Sequence, residues 1–387
     1  MFLNKYRLLL KESPIAKNLF LLISGTVIGQ IILFLFTPIL TRLYSPHHFG
    51  VLSVYMSIVA VLSVAACLRF DMAIPIPEDD KVAINLTALA MLSASVISML
   101  LSIPIYLFPN SVCEMMGNTD MNKHLWVIPI GVWLVAVYSA IQLWSIRKCR
   151  FVEVSKTQIS RSVGASGIQA ALGLYNPLAF GLVFGHMFYG GYGAIGLIMT
   201  SIHKDRRIIN TITIKSLIEN FIKWRRYPIY STPEAILDTA ACYLPVILIS
   251  SMVSTKEAGY MMLAQRVVSV PIGVFGGGLS RVYLSEAGKK LKDGDLKEFT
   301  FKIMSNLLKA SIIPFILMAF MSPFISKLIF GTGWSRTGVM IAWAVPSMIL
   351  QFISSPVSTI FYVARREREA LYFKLFGFVL MIGSIFV

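Results

Sequence analysis

The feature that most constrains this chain is a series of apolar runs, each about as long as a membrane is thick. A bilayer core of roughly 30 Å needs about 20 helical residues at a rise of about 1.5 Å per residue. Such runs recur along the whole chain, bounded by charged or turn residues, approximately at 19–41, 49–68, 83–108, 125–146, 159–175, 178–201, 235–253, 258–280, 304–326, 338–363 and 371–387. The sequence therefore predicts an all-α polytopic membrane protein with about 11 transmembrane helices.

The charge content agrees with this class and excludes a soluble enzyme. Only 14% of the 387 residues are charged and 56% are hydrophobic, whereas soluble proteins carry roughly 25% charged residues. The formal net charge is +16, but the basic residues gather in short stretches between the apolar runs instead of covering one face. This distribution argues against a nucleic-acid partner and is typical of a membrane topology signal.

The basic residues alternate between successive loops. The N-terminal tail and every second loop hold 28 of the 35 Lys and Arg residues, and the other loops hold 5. Arg266 and Lys309 lie inside apolar runs and complete the set. Because cytoplasmic loops carry the excess of positive charge, we expect a cytoplasmic N-terminus.

Two motifs recur in the same order in the two halves of the chain. The Tyr-Ser and Phe-Gly pairs in segment 44–50 correspond to Val-Ser and Ala-Gly in segment 253–259, at an offset of 209 residues. The Trp-Val-Ile-Pro segment 126–129 corresponds to Trp-Ala-Val-Pro at 343–346. Because an even number of runs separates the copies, the sequence predicts two repeated lobes in parallel orientation, with a ligand expected between them.

The predicted lobes are residues 1–202 and 234–387. The segment 203–233 between them is basic, and its apolar residues fall at helical spacing, which predicts an amphipathic linker helix on the inner membrane surface. The chain ends inside its eleventh apolar run. We therefore expect the second lobe to be incomplete and the C-terminal end to be truncated.

Motifs for catalysis or metal binding are missing from the sequence. It has no GxxxxGK[ST] phosphate loop, no HExxH motif and no GxSxG elbow. The four cysteines lie far apart and form no CxxC pair. We therefore expect a protein that is not an enzyme, with no catalytic residues, no metal and no cofactor.

Charged residues at membrane depth are the candidate binding residues, because a charge that faces lipid is costly and usually faces a cavity or a partner. Arg266 is the strongest candidate, since it lies about 12 Å inside the eighth run. The complete set of candidate cavity residues is Arg266, Arg69, Arg161, Lys309, Asp238 and Asp71. A purely structural role, in packing or at the headgroups, is the alternative for each of them. The four cations would make the interior net positive, which favours an anionic substrate such as a pyrophosphate-linked lipid.

Two of the candidate positions depend on local helix geometry. Arg69 and Asp71 close the second run, and they would not share a face if the helix continued through them. Arg161 lies at the start of the fifth run, beside a polar face. That face is formed by residues spaced four and three apart, and we expect it to turn towards a polar interior: Ser162, Ser166 and Gln169.

Several local sequences carry a family resemblance. They are Gly-Thr-Val-Ile-Gly-Gln at 25–30, Pro-Ile-Leu-Thr-Arg-Leu-Tyr-Ser-Pro at 38–46, Leu-Arg-Phe-Asp-Met-Ala-Ile at 68–74 and Ala-Gln-Arg-Val-Val at 264–268. The chain resembles the Wzx-type oligosaccharide flippases, the polysaccharide transport branch of the MOP (multidrug, oligosaccharidyl-lipid, polysaccharide) exporters. The resemblance covers nearly the whole chain, and it places Arg266 on a helix that carries cationic cavity residues in similar flippases.

The resemblance implies two helical lobes around a central cavity that opens alternately to each side of the bacterial inner membrane. The implied substrate is an undecaprenyl-pyrophosphate-linked oligosaccharide for lipopolysaccharide O-antigen or capsule. The implied partners are this lipid-linked oligosaccharide, membrane lipids and other polysaccharide assembly proteins. Coupling to H⁺ or Na⁺ is compatible with the family, but no carboxylate pattern in the sequence identifies the ion.

Three alternatives stay open from the sequence. A cation-coupled exporter of the MATE branch would need carboxylates deep in the first lobe, where only Asp71 is available. A membrane polysaccharide polymerase or ligase would need a large outer loop with catalytic residues, whereas the longest outer loop, Pro109 to Lys123, has only about 15 residues. A structural partner in an assembly complex would need no transport machinery.

Overall fold

The computed structural model describes residues 14–116, 122, 125–269, 283 and 295–357, with a few further positions between 372 and 383. Within these residues the regular structure is helical. The long helices are α1 Pro14–Leu43, α2 Pro46–Ala66, α4 Asp80–Leu107, α6 Val127–Arg147, α7 Phe151–Tyr175, α8 Ala179–Lys204, α11 Thr232–Met252, α12 255–269, α13 Leu296–Phe330 and α14 Ser335–Val357. The short helices are α3 Phe70–Ala73, α5 Pro109–Met116, α9 Arg206–Ile209 and α10 Ile214–Lys223.

The predicted all-helical membrane architecture is confirmed. Eight described segments are long and apolar enough to cross a membrane: Ser24–Leu43, Pro46–Ala66, Asp80–Leu107, Val127–Arg147, Ala179–Lys204, Tyr227–Met252, Leu296–Phe330 and Thr332–Ser355. The fifth predicted run, 159–175, forms the end of the longer and more polar helix α7. The eighth run is described only to residue 269, and nearly all of the eleventh lies outside the described residues.

The chain forms two compact units, Met1–Gly259 and Tyr260–Val387. In the first unit, α7 packs along α1 and α8, while α2 and α6 are the helices with the most buried residues. In the second unit, α13 and α14 pack together around Phe315, Val345 and Met348. The predicted lobe boundaries at 202 and 234 stay a prediction.

The two copies of the repeated motif meet each other within the first unit. A Cβ atom on Gly50 would overlap the carbonyl oxygen of Thr255, and a Cβ atom on Gly259 would overlap the carbonyl oxygen of Pro46. The contact is reciprocal, because Gly259 and Thr255 are the repeat equivalents of Gly50 and Pro46 at the offset of 209 residues. Backbones approach this closely in membrane proteins where small residues face each other. We call these four residues the glycine crossing.

The basic end of the first unit is held by buried and half-buried ion pairs. Arg150 Nη2 lies 2.6 Å from Asp205 Oδ1, and these side chains are 9% and 4% exposed. Trp144 Nε1 donates to the other oxygen of Asp205 at 2.9 Å. Nearby, Asp80 accepts hydrogen bonds from Arg147 and Lys148 at 3.0 and 2.7 Å. These contacts join the ends of α4, α6, α7 and α8.

The basic segment 203–233 contains the helix α10. Thr213 caps its N-terminus, and the hydroxyl of Ser216 donates to Asn85 Oδ1 on α4 at 2.7 Å. Ile218 and Ile222 on its apolar side are exposed. Its location on the membrane surface stays a prediction.

Candidate substrate-binding site

Arg161 lies well inside α7, where the guanidinium stacks against two tyrosine rings. Its Cζ atom is 4.3 Å from the ring centroid of Tyr138 on α6 and 3.8 Å from that of Tyr189 on α8. Stacking of this kind attracts the cation to the aromatic faces and helps to replace its lost hydration. Three helices of the first unit thus converge on one cation.

The guanidinium of Arg161 combines these ring contacts with a buried hydrogen-bond donor. Its Nε atom is buried and has no hydrogen-bond partner among the residues that the structure describes. A guanidinium edge fits two oxygens of a phosphate or a carboxylate at once, which a lysine cannot do.

Further aromatic and hydroxyl groups continue from Tyr189 towards α2. The ring of His186 lies 6.0 Å from that of Tyr189 and 5.7 Å from that of Tyr55. In the described part of the chain, the buried hydroxyls of Tyr55 and Ser166 have no hydrogen-bond partner. These groups combine apolar faces with hydroxyl donors, a composition typical of small-molecule binding sites.

The polar face that the sequence predicts for the fifth run is buried in the first unit. Ser162, Ser166 and Gln169 are all buried, and Gln169 donates from Nε2 to the carbonyl oxygen of Leu182 on α8 at 2.9 Å. The sequence-based position of Arg161 needs a correction, because α7 begins at Phe151 and the arginine lies in its interior and not at its start.

A second polar cluster lies near the end of α2. The helix breaks at Leu68 and Arg69, which have φ angles of 48° and 56°, so the continuous helix considered for Arg69 and Asp71 does not form. Asp71 lies on α3 and is 6% exposed. Its Oδ2 atom accepts a hydrogen bond from Ser139 at 2.7 Å.

Two atoms of this cluster have no partner within the described ranges. They are Asp71 Oδ1 and Arg69 Nε, both buried. Ser139 directly follows Tyr138, so adjacent residues of α6 connect the Asp71 cluster and the Arg161 stack. One oxygen of this buried carboxylate is therefore available to a further hydrogen-bond donor or to a cation.

The remaining candidates lie on other helices. Asp238 is exposed on α11, in the first unit. Arg266 is half-buried on α12 and Lys309 is exposed on α13, and both belong to the second unit. A binding role for these three residues stays a prediction.

Sequence reasoning missed the uncharged partners of the site. Tyr138, Tyr189 and Ser139 stand in apolar runs, where aromatic and serine residues are ordinary, and no spacing connects them to Arg161 or Asp71. The sequence indicated only that α7 has a polar face that turns towards the interior. It did not identify the residues that pack against this face.

Comparison with solved structures shows that the fold is similar to that of MATE transporters. The chain matches the inward-facing conformation of a multidrug resistance MATE family transporter of the MOP superfamily with a TM-score of 0.64 and 12% identity, over 91% of this chain and 84% of that one. It matches the outward-facing conformation of a transporter with the same description at a TM-score of 0.54 and 12% identity, over 96% and 87% of the two chains. It matches a mutant of the Vibrio cholerae MATE transporter VcmN with a TM-score of 0.56 and 11% identity, over 93% of this chain and 86% of that one. At this identity the likeness concerns the fold alone.

A comparison with curated proteins gave no match. The family model described as polysaccharide biosynthesis protein matches residues 39–338, which is well over half of the chain. The match includes the helices α2 to α13, and therefore both clusters described above. The resemblance predicted from the local sequences is confirmed at this level: the chain belongs to the polysaccharide biosynthesis protein family, and its fold is similar to that of MATE family transporters of the MOP superfamily.

Proposed function

We propose that this protein is a flippase that moves undecaprenyl-pyrophosphate-linked oligosaccharide units across the bacterial inner membrane, for O-antigen or capsule assembly. The family and the transporter fold support a membrane carrier in polysaccharide biosynthesis. In this proposal the sugars pass through the polar interior, the lipid tail stays in the bilayer and the protein opens alternately to each side.

The observation that carries the proposal is the stacking of Arg161 against Tyr138 and Tyr189. A cation inside a transmembrane bundle is costly unless it serves a partner. The stacked guanidinium is preorganised for an oxyanion, and a pyrophosphate presents several acceptor oxygens. A pyrophosphate-linked lipid fits this geometry better than an uncharged solute does.

Replacing Arg161 with alanine should abolish surface polysaccharide in a strain whose own flippase has been deleted, because the pyrophosphate loses its bidentate partner. Arg161→Lys should retain part of the polymer, since a lysine keeps the charge and loses the planar edge. The measurements are surface O-antigen or capsule, lipid-linked units accumulated inside the cell, and the amount of flippase in the membrane.

Arg207→Ala, at an exposed position on α9, is the matched control and should export normally. Tyr189→Phe should also export, because it keeps the ring, whereas Tyr189→Leu should resemble Arg161→Ala. Normal export by Arg161→Ala at normal protein level would contradict the proposed site.

Substitutions of Arg266, in the second unit, test independently whether this residue binds the anionic substrate. Arg266→Ala should abolish surface polysaccharide while the protein level stays normal, and Arg266→Lys should retain part of it, because a cation would still face the anionic substrate. The same complementation assay measures both variants. Normal polysaccharide in Arg266→Ala would remove this residue from the proposed site.

A second candidate function is cation-coupled export of small molecules. The observation that favours it is the buried carboxylate of Asp71, which has one hydrogen-bond partner in the described part of the chain. An exporter of this kind would lower the accumulation of a cationic dye in cells that express the protein, and Asp71→Asn would cancel the effect. Unchanged dye accumulation together with restored polysaccharide would favour the flippase.

A further inference from the structure

The helix α10 has three sides of different character. Residues advance by about 100° around a helix axis, so the sides point in three different directions. The apolar side is formed by four exposed residues: Ile214, Ile218, Phe221 and Ile222. The charged side is formed by three exposed residues: Lys215, Glu219 and Lys223. The third side is turned to the first unit and carries Ser216 and Asn220.

The third side fixes α10 to the first unit. The hydroxyl of Ser216 donates to Asn85 Oδ1 on α4 at 2.7 Å, and Asn220 is buried. At the edge of the apolar side, the ring of Phe221 lies 5.6 Å from that of Phe70 on α3. Because α10 is held in this orientation, its apolar side stays exposed on the surface of the unit.

The neighbouring spans put α10 at a membrane boundary. One candidate span ends at Lys204 and the next begins at Tyr227, so both ends of the segment between them lie on the same side of the membrane. Asn85, to which α10 is bonded, lies five residues after the start of α4, about 8 Å along that helix. Interfacial helices bury their apolar face by about 5 to 10 Å. The apolar side of α10 is therefore level with the headgroups and the first carbons of the acyl chains.

The segment around α10 carries an excess of positive charge at this boundary. Residues 203–233 include seven Lys or Arg and two acidic residues, and one of the acids, Asp205, is paired with Arg150. Arg225 and Arg226 are exposed and directly precede the span that begins at Tyr227. Basic clusters of this size beside a membrane span attract anionic lipids. The surface is therefore complementary in charge to a leaflet that contains anionic headgroups.

We propose that α10 and the basic residues beside it form a binding surface for anionic phospholipids, such as phosphatidylglycerol. The apolar side of α10 lies among the upper parts of the acyl chains, and Lys215, Arg225 and Arg226 contact the headgroup phosphates. An anionic phospholipid brings the apolar chain and the negative charge to this surface at the right depth. A water-soluble acidic protein would match the charges, but it would have to reach an apolar side that is level with the acyl chains.

The bound lipids hold α10 against α3 and α4, because a ligand that binds the folded state raises its stability. The surface contains neither Arg161 nor Asp71. Its lipid contacts are therefore the same whatever substrate the protein carries.

Fluorescence quenching in reconstituted bilayers tests the proposal on the purified full chain. Ile218→Cys is labelled with a nitrobenzoxadiazole dye after the two exposed thiols have been removed by Cys149→Ser and Cys242→Ser. The bilayer contains equal amounts of phosphatidylglycerol and phosphatidylcholine, and a nitroxide near the glycerol end of one acyl chain is carried by either lipid in turn. Quenching should show a preference for phosphatidylglycerol of at least about fivefold, the effect of one basic residue near an anionic surface. High salt should reduce this preference.

Two double variants of the labelled chain show whether the basic residues beside α10 cause the preference. Arg225→Gln with Arg226→Gln should reduce it to below about twofold, because two headgroup contacts are lost. Lys297→Gln with Lys302→Gln is the matched control, since it removes two exposed positive charges from α13 and should leave the preference unchanged. An equal loss in both double variants would overturn the assignment of the lipid to α10.

Two results with the labelled chain alone would also overturn the proposal. Equal quenching by the two nitroxide lipids would show that α10 is an apolar anchor without selectivity for anionic lipids. Quenching by iodide from the water, with no quenching by either lipid, would show that the apolar side lies outside the leaflet and is open to a protein partner.

Discussion

Gly50→Ala and Gly259→Ala should each abolish export of surface polysaccharide, because the added methyl group has no space in the glycine crossing. The atoms that it would meet are backbone carbonyl oxygens of Thr255 and Pro46, which cannot move aside as a flexible side chain can. The start of α2 and the start of α12 would have to separate. Overpacking of this kind costs about 3 kcal/mol, so the purified variants should also melt at a lower temperature.

The matched controls are two glycines at open positions of helices. A Cβ atom on Gly167 or Gly196 would meet nothing within 4 Å. Gly167→Ala and Gly196→Ala should therefore keep export, and they should raise helix stability by up to about 1 kcal/mol. Export and melting temperature are measured for all four variants at equal membrane protein level. Normal export and unchanged melting in Gly50→Ala would contradict the crossing.

Asp205→Ala should destabilise the protein by about 3 to 5 kcal/mol, the usual cost when one partner of a buried ion pair is removed. Arg150 would remain buried without its counter-charge, and Trp144 Nε1 would lose its acceptor. The expected result is a large fall in the thermal unfolding temperature of the purified protein. The unfolding temperature of Asp205→Asn should lie between those of Asp205→Ala and the unmodified protein, because asparagine keeps an acceptor oxygen and removes the charge.

The ion pair of Lys204 and Glu153 supplies the comparison. It lies at the same end of the unit, at 3.0 Å, but its side chains are 55% and 34% exposed. Solvent screens such a pair, so Lys204→Ala should change stability by less than about 1 kcal/mol. Equal effects of Asp205→Ala and Lys204→Ala would show that burial does not govern the contribution of these pairs.

The membrane-spanning helices could be predicted because their hydropathy determines them. A membrane-spanning segment must be apolar over about 20 residues, and hydropathy records this directly. Polar segments were harder to assign. Helix α7 carries Glu153, Lys156 and Arg161, and its first turns were therefore assigned to a loop, although its contacts with α1 and α8 extend the helix to Phe151.

The candidate charges were visible in the sequence, but their surroundings were not. Arg161 is held by residues from two other helices, and such contacts depend on packing that hydropathy does not encode. The helix break at Leu68 and Arg69 could not be predicted either, because residues other than glycine seldom adopt positive φ angles. Asp71 could be identified as a charge near the membrane boundary, whereas its bond to Ser139 required the structure.

The reciprocal form of the glycine crossing has a consequence for the origin of the chain. Each repeat contributes one glycine and one carbonyl oxygen, and each glycine contacts the oxygen of the other repeat. An interface in which the same patch meets itself across a two-fold axis is the defining property of a symmetric homodimer. A half-length ancestor carrying this motif would already have had the surface needed to pair with a second copy, so gene fusion only had to join two subunits that fitted each other.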